Sequence, residues 1–225
     1  MKLSGKLWHA NRDIAEACLA HPFIRGLAAG DLPRSCFSYY VSQDSFFLKA
    51  FARAYTIAGA KSPDWEGFCS LHGLAEGVLE ELRLHASYAA RWGVEIEDVE
   101  PEAATRRYTD FIMAVAWGHD TGITVAALSP CMRLYSFLGQ QLAKENPPEH
   151  SYSDWIKTYS SQDIEDLAVR LEELTDRYAS DTPLLRSTYR YAMECEHDFF
   201  QAACDIPENK GGAIEKSGSP PKELI

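Results

Sequence analysis

Cys131, Asp44 and Glu196 are the residues of this 225-residue chain whose types and settings point to chemistry. Asp44 has Phe37, Tyr40, Phe47, Leu48 and Phe51 at offsets −7, −4, +3, +4 and +7. Those offsets define one face of a helix, so the acid interrupts an aromatic stripe. Glu196 repeats the pattern among Tyr189, Ala192, Met193, Phe199, Phe200 and Ala203. A carboxylate on such a face is paired, hydrogen-bonded or functional, because burying it bare is expensive. The plain reading is a buried acid bonded to a tyrosine or a helix N-terminus. The chemical reading is that both acids face one interior pocket, where desolvation raises their pKa values and suits them to proton transfer near neutral pH.

Cys131 lies on a face with Thr124, Ala127, Leu128, Leu134, Tyr135 and Leu138, directly after Pro130. The proline has no backbone N–H to donate and is expected to kink or open the helix beside the thiol. Free cysteine is commonly inert core filler, and becomes a nucleophile only where its surroundings activate it. Tyr108 sits among Phe111, Ile112 and Val115, and Tyr159 ends a short Trp155-led segment; Tyr39 and Tyr40 add further rings and hydroxyls. Aromatic faces with a few acids and hydroxyls fit a flat, nitrogen-rich heterocycle.

Metal chemistry is poorly served. A four-helix di-iron site needs two Glu-x-x-His motifs and two further glutamates. The chain offers Glu194 to His197 at that spacing, and Glu81 to His85 one residue longer. His9, His21 and His72 are isolated in sequence, which gives no haem ligand a special claim. No metal and no cofactor is expected.

The elements that must position these groups are nearly all helical. Apolar periodicity and Pro or Gly punctuation give helices over about 3–20, 23–28, 33–59, 62–93, 101–117, 121–144, 153–159, 163–179 and 183–203. Period-two β-branched runs and hairpin signals are missing. The expectation is an all-α, single-domain helical bundle over residues 1–205. Residues 206–225, with Gly211-Gly212 and Ser217-Gly218-Ser219-Pro220-Pro221, read as a flexible tail.

Apolar residues make up 46% and charged residues 24%, as in soluble globular chains, and the net charge of −11 argues against nucleic acid and anionic membrane surfaces. No apolar run approaches the ~20 residues a membrane helix needs. The first residues read as an amphipathic helix and not as a signal peptide. The six cysteines have irregular spacings and no Cys-x-x-Cys pair, which favours reduced thiols in a cytoplasmic protein.

Four short motifs occur in order: Tyr40-x-x-Gln43-Asp44-x-x-Phe47-Leu48, Ser129-Pro130-Cys131-x-x-Leu134-Tyr135, Trp155-Ile156-x-x-Tyr159 and Glu196-x-x-Phe199-Phe200. Together they resemble the TenA family, also called thiaminase II or aminopyrimidine aminohydrolase, over roughly residues 3–203. The resemblance implies a haem-oxygenase-like fold, a homotetramer and no cofactor. It implies hydrolysis of 4-amino-5-aminomethyl-2-methylpyrimidine to the hydroxymethyl pyrimidine and ammonia, with thiamin as a further substrate. By the same resemblance Cys131 is the nucleophile, Glu196 the acid for the leaving amine and Asp44 the pyrimidine anchor. Phe47, Tyr108, Tyr135 and Tyr159 line the pocket. Two departures stand out. Phe47 replaces a tyrosine common in the family, and Met132-Arg133 replaces the bulky, often aromatic sequence after the cysteine. A non-catalytic pyrimidine- or thiamin-binding protein and a haem-oxygenase-like di-iron oxygenase are the competing readings.

Overall fold

The computed structural model describes residues 1–94 and 96–206, apart from the side chains of residues 84, 85, 87, 88, 90 and 91. Nearly all of the tail expected at 206–225 lies outside the described residues. The helices are α1 (Leu3–Ala10), α2 (Arg12–Ala20), α3 (Pro22–Ala29), α4 (Arg34–Ala60), α5 (Trp65–Trp92), α6 (Ala103–Gly118), α7 (Thr121–Lys144), α8 (Ser153–Tyr159), α9 (Gln162–Tyr178) and α10 (Pro183–Cys204). No strand occurs among the described residues.

Local chemistry explains the boundaries. Asp120 caps α7 by accepting from the Ile123 N–H at 2.9 Å. Thr182 caps α10, with Pro183 at its first position. Gly30 ends α3 in the left-handed region at φ 78°, which a side chain would strain. One expectation fails: the segment 3–20 is two helices, not one. The chain breaks at Asn11, which has φ −115° and ψ 18°. Its amide Nδ2 turns back to the Leu7 carbonyl at 2.8 Å, serving the end of α1 in place of a continuing turn.

The long helices α4 and α7 carry the packing. α4 lies against α5 and α6, and α7 against α8, α9 and α10. Two apolar clusters result. One gathers α1–α3, the start of α4, the second half of α7, α8 and most of the buried face of α10. The other gathers the second half of α4 with α5, α6 and the first half of α7. Cys131 packs against both clusters, so the thiol sits at their junction. α7 runs unbroken through Pro130, which is buried. Gly122 and Gly139 bring α7 close to its neighbours. A Cβ at Gly122 would collide with the Tyr178 carbonyl, and one at Gly139 with the backbone of Tyr159 and Ser160.

Candidate active site

Four helices place the two acids, the thiol and a tyrosine. Asp44 comes from the middle of α4, Tyr108 from α6, Cys131 from α7 and Glu196 from α10. Asp44 is 7% exposed and Glu196 2%. Cys131 is half-buried, whereas Ser129 and Pro130 before it are buried.

Glu196 is the hub. Its Oε1 accepts from the Tyr108 hydroxyl at 2.7 Å, and the Cys131 thiol hydrogen-bonds to the same carboxyl group. Burial pushes Glu196 up to about 7, against the pull of those two hydrogen bonds and with a further push from the Asp44 charge. Burial also pushes Asp44 up to about 7. Burial, then the charges of Glu196 and Asp44, hold the Cys131 thiol well above its ordinary value. The resting sulfur is therefore a neutral S–H at neutral pH, hydrogen-bonded to the Glu196 carboxyl group.

A ring cluster closes the other side. Trp155 Nε1 donates to the Tyr40 hydroxyl at 3.4 Å, and Tyr40 donates to the Tyr135 hydroxyl at 3.3 Å. Tyr159 hydrogen-bonds to Tyr40 as well. The Tyr159 ring lies 4.8 Å from Tyr135 and 4.6 Å from Trp155, centroid to centroid. Phe47 lies 4.8 Å from the Tyr108 ring and 5.0 Å from Phe51. Phe47 thus backs the tyrosine that holds Glu196, and offers no hydroxyl of its own.

All seven residues singled out in the sequence gather around one locus. The charge of Asp44 is felt at Tyr40, Cys131, Tyr135, Tyr159 and Glu196. Tyr40 and Trp155, both within the sequence motifs, and Glu81 join them. Tyr40 shares the Asp44 stripe one turn earlier and centres the hydroxyl network. Trp155 donates to it. Half-buried Glu81 of α5 exerts its charge on Cys131, Tyr55 and Tyr159, which adds a third carboxylate to the field at the thiol. The available signal for Glu81 was its register: it lies seven residues after Leu74 and three after Val78, both buried. Among the described residues, no group of three or more His, Cys, Asp and Glu is arranged to hold a metal ion.

Known proteins share this architecture. Residues 8–206 match the model of the TENA/THI-4/PQQC family. The chain is 34% identical over 228 residues to the bifunctional TH2 protein, mitochondrial, of Arabidopsis thaliana, covering 89% of this chain and 37% of that protein. The chain therefore spans well under half the length of that relative. It is 29% identical to the aminopyrimidine aminohydrolase of Halalkalibacterium halodurans, covering 90% and 96% of the two chains. Among solved structures, a TenA family transcription regulator from Silicibacter sp. TM1040 superposes with a TM-score of 0.84 at 27% identity, over 90% and 96% of the chains. A domain with a heme oxygenase-like fold from Shewanella denitrificans superposes with a TM-score of 0.71 at 12% identity, over 89% and 91%. The fold is all-α and haem-oxygenase-like.

Proposed function

Because the chain belongs to the TENA/THI-4/PQQC family, we propose that it is an aminopyrimidine aminohydrolase of thiamin salvage. It converts 4-amino-5-aminomethyl-2-methylpyrimidine and water to the hydroxymethyl pyrimidine and ammonia, and thiamin is a further substrate. The observation that carries this reading is the hydrogen-bonded chain Cys131–Glu196–Tyr108 beside a second buried acid, Asp44.

The mechanism needs one mobile proton at each step. Glu196 takes the thiol proton as the sulfur of Cys131 bonds to a ring carbon, while Asp44 supplies a proton to a ring nitrogen. The electron-rich ring then expels the exocyclic amine, and Glu196 returns its proton to the departing nitrogen. Water adds to the exposed methylene carbon and gives a proton to the Glu196 carboxylate. The ring nitrogen returns its proton to Asp44 and the sulfur leaves, taking a proton from Glu196, as the ring regains aromaticity. Covalent attack divides a hard substitution into easier steps. The aromatic walls from Tyr135, Tyr159 and Phe47 hold the flat ring by stacking.

The test is incubation with the aminomethyl pyrimidine, following ammonia and the alcohol together. Equimolar release supports the hydrolase. Tight binding without ammonia makes the protein a carrier. A di-iron oxygenase would require about two irons per chain, which elemental analysis measures directly.

Assembly and location belong to the same proposal. Trp65 is 75% exposed, Trp117 68% and Leu79 52%. Leu79 and Trp117 border a shallow apolar groove with Ile57, Leu82 and Met113. Exposed apolar surface of this kind supports burial between subunits of a homotetramer, which sedimentation would measure. No helix among the described residues is long and apolar enough to cross a membrane. We place the enzyme in the cytoplasm, and cell fractionation tests that placement.

A further inference from the structure

Arg133 follows Cys131 by two residues on α7, and nothing in the catalytic chain above uses it. Its guanidinium forks across two acids of α9. Nε and Nη2 donate to the two oxygens of Glu172 at 2.7 and 3.0 Å, and Nη1 donates to those of Glu165 at 3.0 and 2.8 Å. Further along α7, Ser136 Oγ donates to Glu165 Oε2 at 2.6 Å, and Gln140 Nε2 donates to the same oxygen at 2.9 Å and to Ser136 Oγ at 3.0 Å. The Arg133 side chain is 13% exposed and the two glutamates 27% and 24%. This is a mostly buried, satisfied network, and far stiffer than a surface ion pair. Burial opposes the charge on Arg133, but the hydrogen bonds and charges of Glu172 and Glu165 outweigh it and raise its pKa.

The network lies next to the weakest point of α7. Pro130 has no N–H, so the helical bond to the Ala126 carbonyl is missing one residue before the thiol. Cys131 and Arg133 are two residues apart, which points them to opposite sides of the helix. The thiol faces Glu196 on α10 while the guanidinium grips α9 behind it.

We propose that Arg133 is the positioning residue of the catalytic turn: its fork onto Glu165 and Glu172 fixes the rotation of α7 that keeps the Cys131 thiol on Glu196. The proposal rests on the reading of Cys131 as nucleophile. Loosening the fork lets the turn at Pro130 relax and the sulfur part from Glu196. Turnover then falls, because the proton path is broken. Reactivity toward a small alkylating agent rises, because the sulfur leaves a negative carboxylate. A role confined to overall stability changes neither quantity in protein that remains folded.

Two variants test this, Glu172→Gln and Arg133→Lys. The first removes one carboxylate charge. The second keeps the cation but loses the fork. Folding is checked by circular dichroism, and sites are counted by calorimetric titration with the hydroxymethyl pyrimidine. Cys131 alkylation by iodoacetamide at pH 8 is read peptide by peptide, which separates it from Cys69 and Cys204. In folded protein we expect kcat per site to fall about tenfold or more with KM within about twofold. Cys131 alkylation should rise about threefold or more. Unchanged Cys131 alkylation in both folded variants overturns the proposal. If the wild type releases no ammonia, the functional reading fails instead, while the alkylation comparison still decides whether the fork positions the turn.

Discussion

At the scale of the residue, the site couples two carboxyl groups, both raised to about 7, to one thiol. On the mechanism proposed above, the working form carries a single proton on the pair. Full ionisation removes the donor to the ring nitrogen, and double protonation removes the base for the thiol. The pair titrates as a unit. The kcat/KM profile is therefore expected to be bell-shaped with its maximum near 7, and a flat profile from pH 6 to 8 would contradict it. Glu196→Gln should cut kcat by about 10²–10⁴-fold while calorimetry still detects pyrimidine binding. Unchanged turnover would remove Glu196 from proton transfer. Much of this was legible in the sequence, because a single acid on an aromatic stripe has few structural excuses. Asp44 and Glu196 announced themselves in that way. Glu81 did not, since α5 also carries Glu66, Glu76 and Glu80, and it is set apart from them by its register after buried Leu74 and Val78. Tyr40 was visible as a ring, but its place at the centre of the hydroxyl network depends on α7 and α8.

At the scale of the element, α7 sets the geometry. Asp120 starts it, Arg133 grips α9, and Gly139 lets α8 approach so that Tyr159 reaches Tyr135. The backbone of Tyr159 and Ser160 occupies the space a Cβ at residue 139 would need. Gly139→Ala should therefore displace α8, cost about 1–3 kcal/mol, and lower Tm by roughly 2–4 °C for each of those kcal/mol. It should also raise KM for the pyrimidine, because Tyr159 moves. An unchanged Tm and KM would show that α8 tolerates the shift. Periodicity located the helices within a few residues because their faces are strongly apolar. It missed the break at Asn11, where a side-chain hydrogen bond, and not a loss of periodicity, ends the turn. It also missed the partners of Arg133. Helical pattern tells which face is buried, but not which distant helix meets it.

At the scale of the molecule, the site is built at the expense of stability. Asp44 and Glu196 hold protons more tightly in the folded chain than in the unfolded chain, where carboxyl groups ionise near ~4. Their contribution is complete below that value and is lost as pH rises through about 7. Between pH 5 and 8 the wild type should lose stability relative to the Asp44→Asn/Glu196→Gln variant, by on the order of a few kcal/mol. Urea unfolding of both proteins at the two pH values measures it, and parallel curves would mean the acids are not desolvated. The junction of the two apolar clusters is what makes such burial possible, and Cys131 lies there. The most direct measurement is therefore turnover of the aminomethyl pyrimidine by wild type and Cys131→Ser, normalised to sites that bind the hydroxymethyl pyrimidine. Loss of at least about 10³-fold in ammonia release with binding retained is expected for a covalent thiol. Full turnover by Cys131→Ser would contradict it.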